Sequence, residues 1–277
     1  ATDVSCKYDR RRRLSIEITA KRQKECVPKL ELLNRLSALC SVKFDTPCIT
    51  NSTDITLISL TEKTNYAIDS GVCQINCKGE NLSGDSYSSF NDGKGNYVMI
   101  LSDGMGSGPH AAVDSTFAAN LMEKLIKAGY GFECALKLVN SAMIFKSSDE
   151  STATIDISTI DLYSGQADFY KAGAAETYVI KGKKVGVATC SAYPAGILSE
   201  VSFDKTSTYL QKGNVVVMFS DGVSEENEEW IEDEILKNRK SSAQTIADKI
   251  ASKAALLRKD GHPDDITVMV AVLSEEY

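Results

Sequence analysis

Two copies of Ser-Asp-Gly close two short apolar runs: Ser102-Asp103-Gly104 follows Tyr97 to Leu101, and Ser220-Asp221-Gly222 follows Val215 to Phe219. Each run is rich in strand formers and reads as a buried strand. Each therefore delivers a carboxylate at a rigid strand end, beside a glycine that lets the backbone approach a ligand. Two further acidic sites flank similar elements: Gly84-Asp85 lies ahead of the first run, and Asp264-Asp265 opens the strand Ile266 to Leu273. These dispersed carboxylates, with accessible carbonyls beside them, form a set of hard oxygen donors suited to Mg²⁺ or Mn²⁺. Such a density of anionic oxygen fits a two-cation site, whose commonest use is hydrolysis at phosphorus.

Rival readings of these residues are weaker. Gly104-x-Gly106-x-Gly108 is not the G-x-G-x-x-G of a dinucleotide fingerprint, and hairpins rather than βαβ units follow it. A merely structural Asp-Gly turn is a sufficient account of one copy, but not of two. Ser102 and Ser220 read as turn supports, since no base is placed to activate them as nucleophiles. His110 and His262 are read as solvent-facing. The basic run Arg10 to Arg13 reads as a solvated face. Eight cysteines include no C-x₂-C pair. Free, buried, reduced thiols are expected, with a zinc site at the N-terminal cluster of Cys6, Cys26, Cys40 and Cys48 as the alternative.

The elements that must carry the carboxylates follow from periodicity. Leu14 to Thr19, Ile55 to Leu60 and Tyr66 to Ile75 read as strands, and Val27 to Cys40 as a helix with Leu30, Leu33, Leu36 and Leu39 on one face. Residues 1–62 are read as an α/β extension. After the Asp103 turn, Val113 to Leu125 and Phe132 to Phe145 have helical spacing. Between Ser88 and Gly95 the chain reads as a polar, glycine-bearing connection. Thr152 to Leu162, Gln166 to Ala172, Thr177 to Lys181 and Val185 to Thr189 alternate as strands joined by short turns, which implies antiparallel hairpins. Helices over Trp230 to Asn238 and Ala243 to Leu257 precede the last strand. Helices grouped around hairpins define an α+β fold.

The set Gly84-Asp85, Ser102-Asp103-Gly104-Met105-Gly106-Ser107-Gly108, Ser220-Asp221-Gly222 and Asp264-Asp265-Ile266-Thr267 resembles the metal-dependent type 2C (PPM) serine/threonine phosphatases. Within them it is most similar to the phosphatase domains of the stage II sporulation protein E group. The likeness includes Tyr193-Pro194-Ala195-Gly196-Ile197 and spans about residues 20–275. It implies two antiparallel sheets packed face to face with helices outside, over residues 63–277. It also implies two Mn²⁺ or Mg²⁺ ions, with Asp103 bridging them. Asp221 and Asp264 would bind one ion, Asp85 and the Gly104 carbonyl the other, and Asp265 would orient its neighbour from behind. The implied reaction is direct attack of a metal-bridging hydroxide on phosphoserine. The implied substrate is a phosphorylated anti-anti-sigma factor in sporulation or stress signalling.

The N-terminal arginine motif of the eukaryotic members is not evident, so no phosphate-clamping arginine is assigned. The sporulation relatives carry a membrane-spanning half that this sequence lacks. The chain, which starts at Ala1 without a signal peptide, therefore reads as a trimmed cytoplasmic piece of a parent anchored at the membrane. Partner contact, or formation of a homodimer through the helices, is expected to complete a weakly held metal site. The alternative function is a regulatory module that binds a phosphoprotein without hydrolysing it; retention of all four carboxylates counts against it.

The whole composition is that of a globular chain. Its 277 residues are 43% hydrophobic and 25% charged, with net charge −7. That acidity argues against nucleic acid as partner or polyanionic substrate. No run reaches the roughly 18 apolar residues of a membrane span, so no membrane contact by this fragment is expected.

Overall fold

The computed structural model describes residues 1–9, 12–21, 29–77, 82–106, 108–146, 151–199, 202–223, 229–257 and 264–275. It divides into two compact units, Ala1–Asn65 and Tyr66–Tyr277.

The first unit comprises β1 (Asp3–Tyr8), β2 (Leu14–Lys21), α1 (Lys29–Cys40), β3 (Cys48–Asn51) and β4 (Ile55–Thr61). Its strands form one antiparallel sheet in the order β1-β2-β4-β3. Alternation on β2 buries Leu14 and Ile16 with Phe44 and Leu60, and Leu33 and Leu36 of α1 pack against them. The outer two leucines expected on this face are instead exposed, Leu30 at 70% and Leu39 at 80%. Steps of three residues drift about 60° each around a helix of 3.6 residues per turn, so a stripe nine residues long rotates out of the core. Glu62 N donates to Leu14 O at 3.2 Å and Lys63 N to Lys43 O at 2.7 Å, which ties both residues to the first unit.

The second unit runs β5 (Tyr66–Ile75), β6 (Asp85–Asn91), β7 (Asn96–Asp103), α2 (Pro109–Lys127), α3 (Phe132–Lys146), β8 (Ile155–Asp161), β9 (Gln166–Ala172), β10 (Thr177–Lys181), β11 (Lys184–Ala188), β12 (Asp204–Tyr209), β13 (Val215–Phe219), a 3₁₀ turn (Asp221–Val223), α4 (Glu229–Asn238), α5 (Ala243–Leu257) and β14 (Ile266–Glu275). Two five-stranded sheets result, β11-β10-β13-β14-β5 and β12-β9-β8-β7-β6, with every pairing antiparallel. Alternation sorts the side chains into three apolar layers. Met99, Leu101, Ile160 and Phe169 meet Val216, Met218, Met269 and Leu273 between the sheets. Val98, Ile100, Ile155 and Ile157 face Met122, Leu136, Val139 and Met143 of α2 and α3. Val217, Val268 and Val270 face Ile246, Ile250 and Ala254 of α5. Full burial of each such side chain is worth ~1.5–3 kcal/mol. The layers are helix, sheet, sheet, helix, as the resemblance implied.

Three local expectations change. The polar stretch from Ser88 is not a connection: Asp85–Asn91 is β6, hydrogen-bonded to β7 along its length. An edge strand buries one face at most, so it needs little apolar content. Val113, counted into a helical face, is exposed. Among the described cysteines, Cys6, Cys48 and Cys134 are exposed rather than buried; Cys26 lies outside the described residues. Among the described residues no helix is long and apolar enough to cross a membrane.

Candidate metal centre

Asp103 ends β7 and is held by the segment that leads into β8. Its backbone N–H donates to Thr154 Oγ1 at 2.9 Å, and Ser102 Oγ donates to the Thr154 carbonyl at 2.7 Å. Thr154 N returns a bond to the Asp103 carbonyl at 2.8 Å, and Met105 N donates to Thr152 O at 3.1 Å. Gly104 is required by a close approach, not by its φ. A Cβ there would lie 2.1 Å from the carbonyl oxygen of Ala111, in the first turn of α2. The positive φ values fall at Gly106 and Gly108, where the chain turns into the helix behind Pro109.

Asp85 is the direct cross-strand partner of Asp103. It is 6% exposed. The segment before it is braced by Asp265, whose carboxylate accepts from Gly84 N at 2.6 Å and from Cys77 N at 2.7 Å. The Asp265 carboxylate thus braces the approach to Asp85, while its backbone N–H donates to Asp264 Oδ1 at 2.8 Å.

Asp221 comes from the other sheet. Ser220, at the end of β13, locks the turn to β14: its hydroxyl donates to Asp265 O at 3.3 Å and accepts from Thr267 N at 2.9 Å. The two Ser-Asp-Gly turns therefore sit one on each sheet, and Asp103 and Asp221 border a common small cavity.

The electrostatics show how closely the acids gather. Burial first, then the charges of Asp85, Asp221 and Asp264, push the Asp103 carboxyl up to about 9. Burial likewise raises Asp85 to about 7, against the hydroxyls of Thr267 and Ser220 and with the charges of Asp265 and Asp221. Asp221 is exposed as a residue yet borders the cavity; desolvation, followed by Asp264, raises its carboxyl. Among the described residues no group of three or more such side chains stands arranged as a ready-made cation site; Asp103 is the carboxyl that interacts with all of the others, Asp85, Asp221 and Asp264. The donor set nevertheless fits a divalent cation. Asp85 Oδ2 is enclosed without a hydrogen-bond partner, and like charges crowded together are relieved by a hard cation.

His110 is exposed on α2; His262, Ser107, Arg10 and Arg11 lie outside the described residues. The reading from sequence missed Thr154, Asp156 and Lys171. Thr154 was taken only as part of a strand. Lys171 and Asp156 sit in ordinary alternating positions, where nothing in the spacing signals a buried ion pair.

Sheets, helix layers and clustered acids together define a PP2C-type phosphatase domain. A solved structure of the PP2C phosphatase domain and a fragment of the regulatory domain of the cell fate determinant SpoIIE from Bacillus subtilis matches with TM-score 0.78 and 25% identity, covering 100% of this chain and 83% of that one. The model of the Stage II sporulation protein E (SpoIIE) family matches residues 93–273, and the chain belongs to that family. It is 32% identical over 214 residues to stage II sporulation protein E of Priestia megaterium, covering 75% of this chain. It is 31% identical over 211 residues to that of Bacillus subtilis (strain 168), covering 74% of this chain. The alignments span 37% and 26% of those relatives.

Proposed function

We propose that the Tyr66–Tyr277 unit is a metal-dependent protein serine phosphatase acting on a phosphorylated regulatory protein. The observation that carries this reading is the meeting of Asp103 and Asp221, one from each sheet, beside the buried and orphaned Asp85 Oδ2. Two Mn²⁺ or Mg²⁺ ions, when bound, supply charge neutralisation at the phosphoryl group and activation of water. In this reading Asp103 would serve both ions, Asp221 and Asp264 would hold one of them, and Asp85 with the Gly104 carbonyl the other. The protein's own contribution is rigidity. Thr154 fixes the Asp103 backbone, Asp265 fixes Gly84 ahead of Asp85, and Ser220 ties β13 to β14. Preorganised donors need no rearrangement as charge develops in the transition state.

The substrate proposed from family membership is a phosphorylated anti-anti-sigma factor, in sporulation or stress signalling. Asp221 is exposed, so the site opens outward, which suits a phosphoserine on the surface of a folded protein. The setting proposed is cytoplasmic, with the longer parent protein membrane-anchored and with a second copy as a further partner.

The test is phosphate release from a phosphoserine-bearing anti-anti-sigma factor, with Mn²⁺ and with excess chelator. Release that depends on Mn²⁺ supports the reading. Tight binding of the phosphoprotein with no release under any divalent cation would replace it with a binding module.

A further inference from the structure

Beneath the acidic cluster lies a buried ion pair that the proposed reaction does not use. Lys171 Nζ on β9 donates to Asp156 Oδ2 on β8 at 2.6 Å, and both side chains are 1% exposed. Lys171 also donates to the Ala175 carbonyl at 2.5 Å, and Thr177 Oγ1 on β10 to Asp156 Oδ2 at 3.0 Å. The network thus ties one sheet to the other. Asp156 Oδ2 is saturated, whereas Asp156 Oδ1 is buried with no hydrogen-bond partner.

A buried ion pair gives little stability over apolar residues of similar volume, because desolvation cancels most of the attraction. An unpaired carboxylate oxygen makes the balance worse. Its surroundings offer a use for it. Asp156 is the cross-strand partner of Leu101, which shares a face of β7 with Asp103 two residues on. Asp156, Asp103, Asp221, Ser220 and Thr154 all line one cavity of about 20 Å³. One water needs roughly 10–15 Å³ of such space and two to four polar partners. The cavity provides both.

We propose that the Lys171–Asp156–Thr177 network is a positioning device for the candidate metal centre: one internal water, held by Asp156 Oδ1, bridges to the Asp103 and Asp221 carboxylates and fixes the orientation in which they accept a divalent cation. The inference rests on the reading of Asp103 and Asp221 as cation ligands. Lys171 and Thr177 both hold Asp156 Oδ2, which leaves Oδ1 as the oxygen without a partner to take the water.

The experiment is Mn²⁺ calorimetry on the whole chain, paired with the melting temperature in chelator. The variants are Asp103→Asn, Thr177→Val and the double replacement Lys171→Met with Asp156→Leu, which removes both charges. The expected result is a Mn²⁺ affinity about 10-fold or more weaker in the double variant, the size usual for lost outer partners of metal ligands. Thr177→Val weakens affinity in the same direction, by more than any drop in its cation-free melting temperature accounts for. Unchanged Mn²⁺ affinity in the double variant overturns the proposal. If the double variant does not fold, Thr177→Val decides alone, and unchanged affinity there overturns it equally. Loss of affinity that appears only alongside a matching loss of cation-free stability, and not in Thr177→Val, also overturns it. Asp103→Asn separates the levels. If it retains full Mn²⁺ affinity, the ligand reading itself fails; if it alone loses affinity, only the positioning role fails.

Discussion

Asp103 carries an uncommon load for one carboxylate: an acidic partner across the strand, another from the opposite sheet, and a backbone fixed by Thr154. Replacing it by Asn removes an anionic ligand without removing bulk. Asp103→Asn is therefore expected to lose several orders of magnitude of Mn²⁺-dependent turnover while its circular dichroism stays native-like. Near-normal turnover at saturating Mn²⁺ would remove Asp103 from the centre. The raised carboxyls also predict a pH dependence. Asp103 holds its proton up to about 9 when folded, against roughly 3.9 when unfolded. The folded chain then binds more protons than the unfolded one, so its stability is greatest below the unfolded value and falls as pH rises towards the folded one. Without divalent cation, the melting temperature should decline between about pH 5 and pH 8, and either Mn²⁺ or Asp103→Asn should flatten that slope. A cation-free stability that rises across this window contradicts the crowding of acids.

At the scale of elements, the site depends on contacts that position its turns. Gly104 lies against the Ala111 carbonyl of α2. Gly104→Ala must therefore push the helix away, costing at least ~1–3 kcal/mol, which urea unfolding would read. Asn140 of α3, 2% exposed, accepts from Gly196 N at 2.8 Å and donates to Leu198 O at 3.0 Å. Ala195, in that same loop, exchanges hydrogen bonds with Ala153, beside the Thr154 clamp. Asn140→Ala should cost ~1–3 kcal/mol for the buried groups left unpaired, again by urea unfolding. A cost within error of zero would mean that the loop does not depend on α3. These contacts also mark what sequence could reveal. β7, β13 and β14 were legible because strands covered on both faces are written as unbroken apolar runs. Their terminal aspartates stood out against that background. β6 and β12 were not legible: Asp85–Asn91 and Asp204–Tyr209 are edge strands whose polar residues follow from open faces. Without β6, Asp85 could be placed near Asp103 only through resemblance, whereas the register makes them partners. Gly104 was read for conformational freedom and proved to be a contact residue. A close approach between distant backbones has no local signature.

For the molecule as a whole, two sheets act as a vice whose one end is acidic. Each sheet contributes a Ser-Asp-Gly turn, so the relative placement of the sheets sets the spacing of Asp103 and Asp221. That spacing matters, since Mg²⁺ accepts only near-octahedral geometry. We expect a longer chain carrying the upstream region of the family to bind Mn²⁺ more tightly than this one; equal affinity would mean that the site is preformed. The central claim, that these clustered aspartates make a cation-dependent phosphatase, is tested most directly by one Mn²⁺ titration. It should follow heat of binding and phosphate release from a phosphoserine protein together, for the unmodified chain and for Asp103→Asn. The prediction is that binding and release rise together in the former and that both are lost in the latter. Release that persists in chelator, or in Asp103→Asn at undiminished rate, would contradict it.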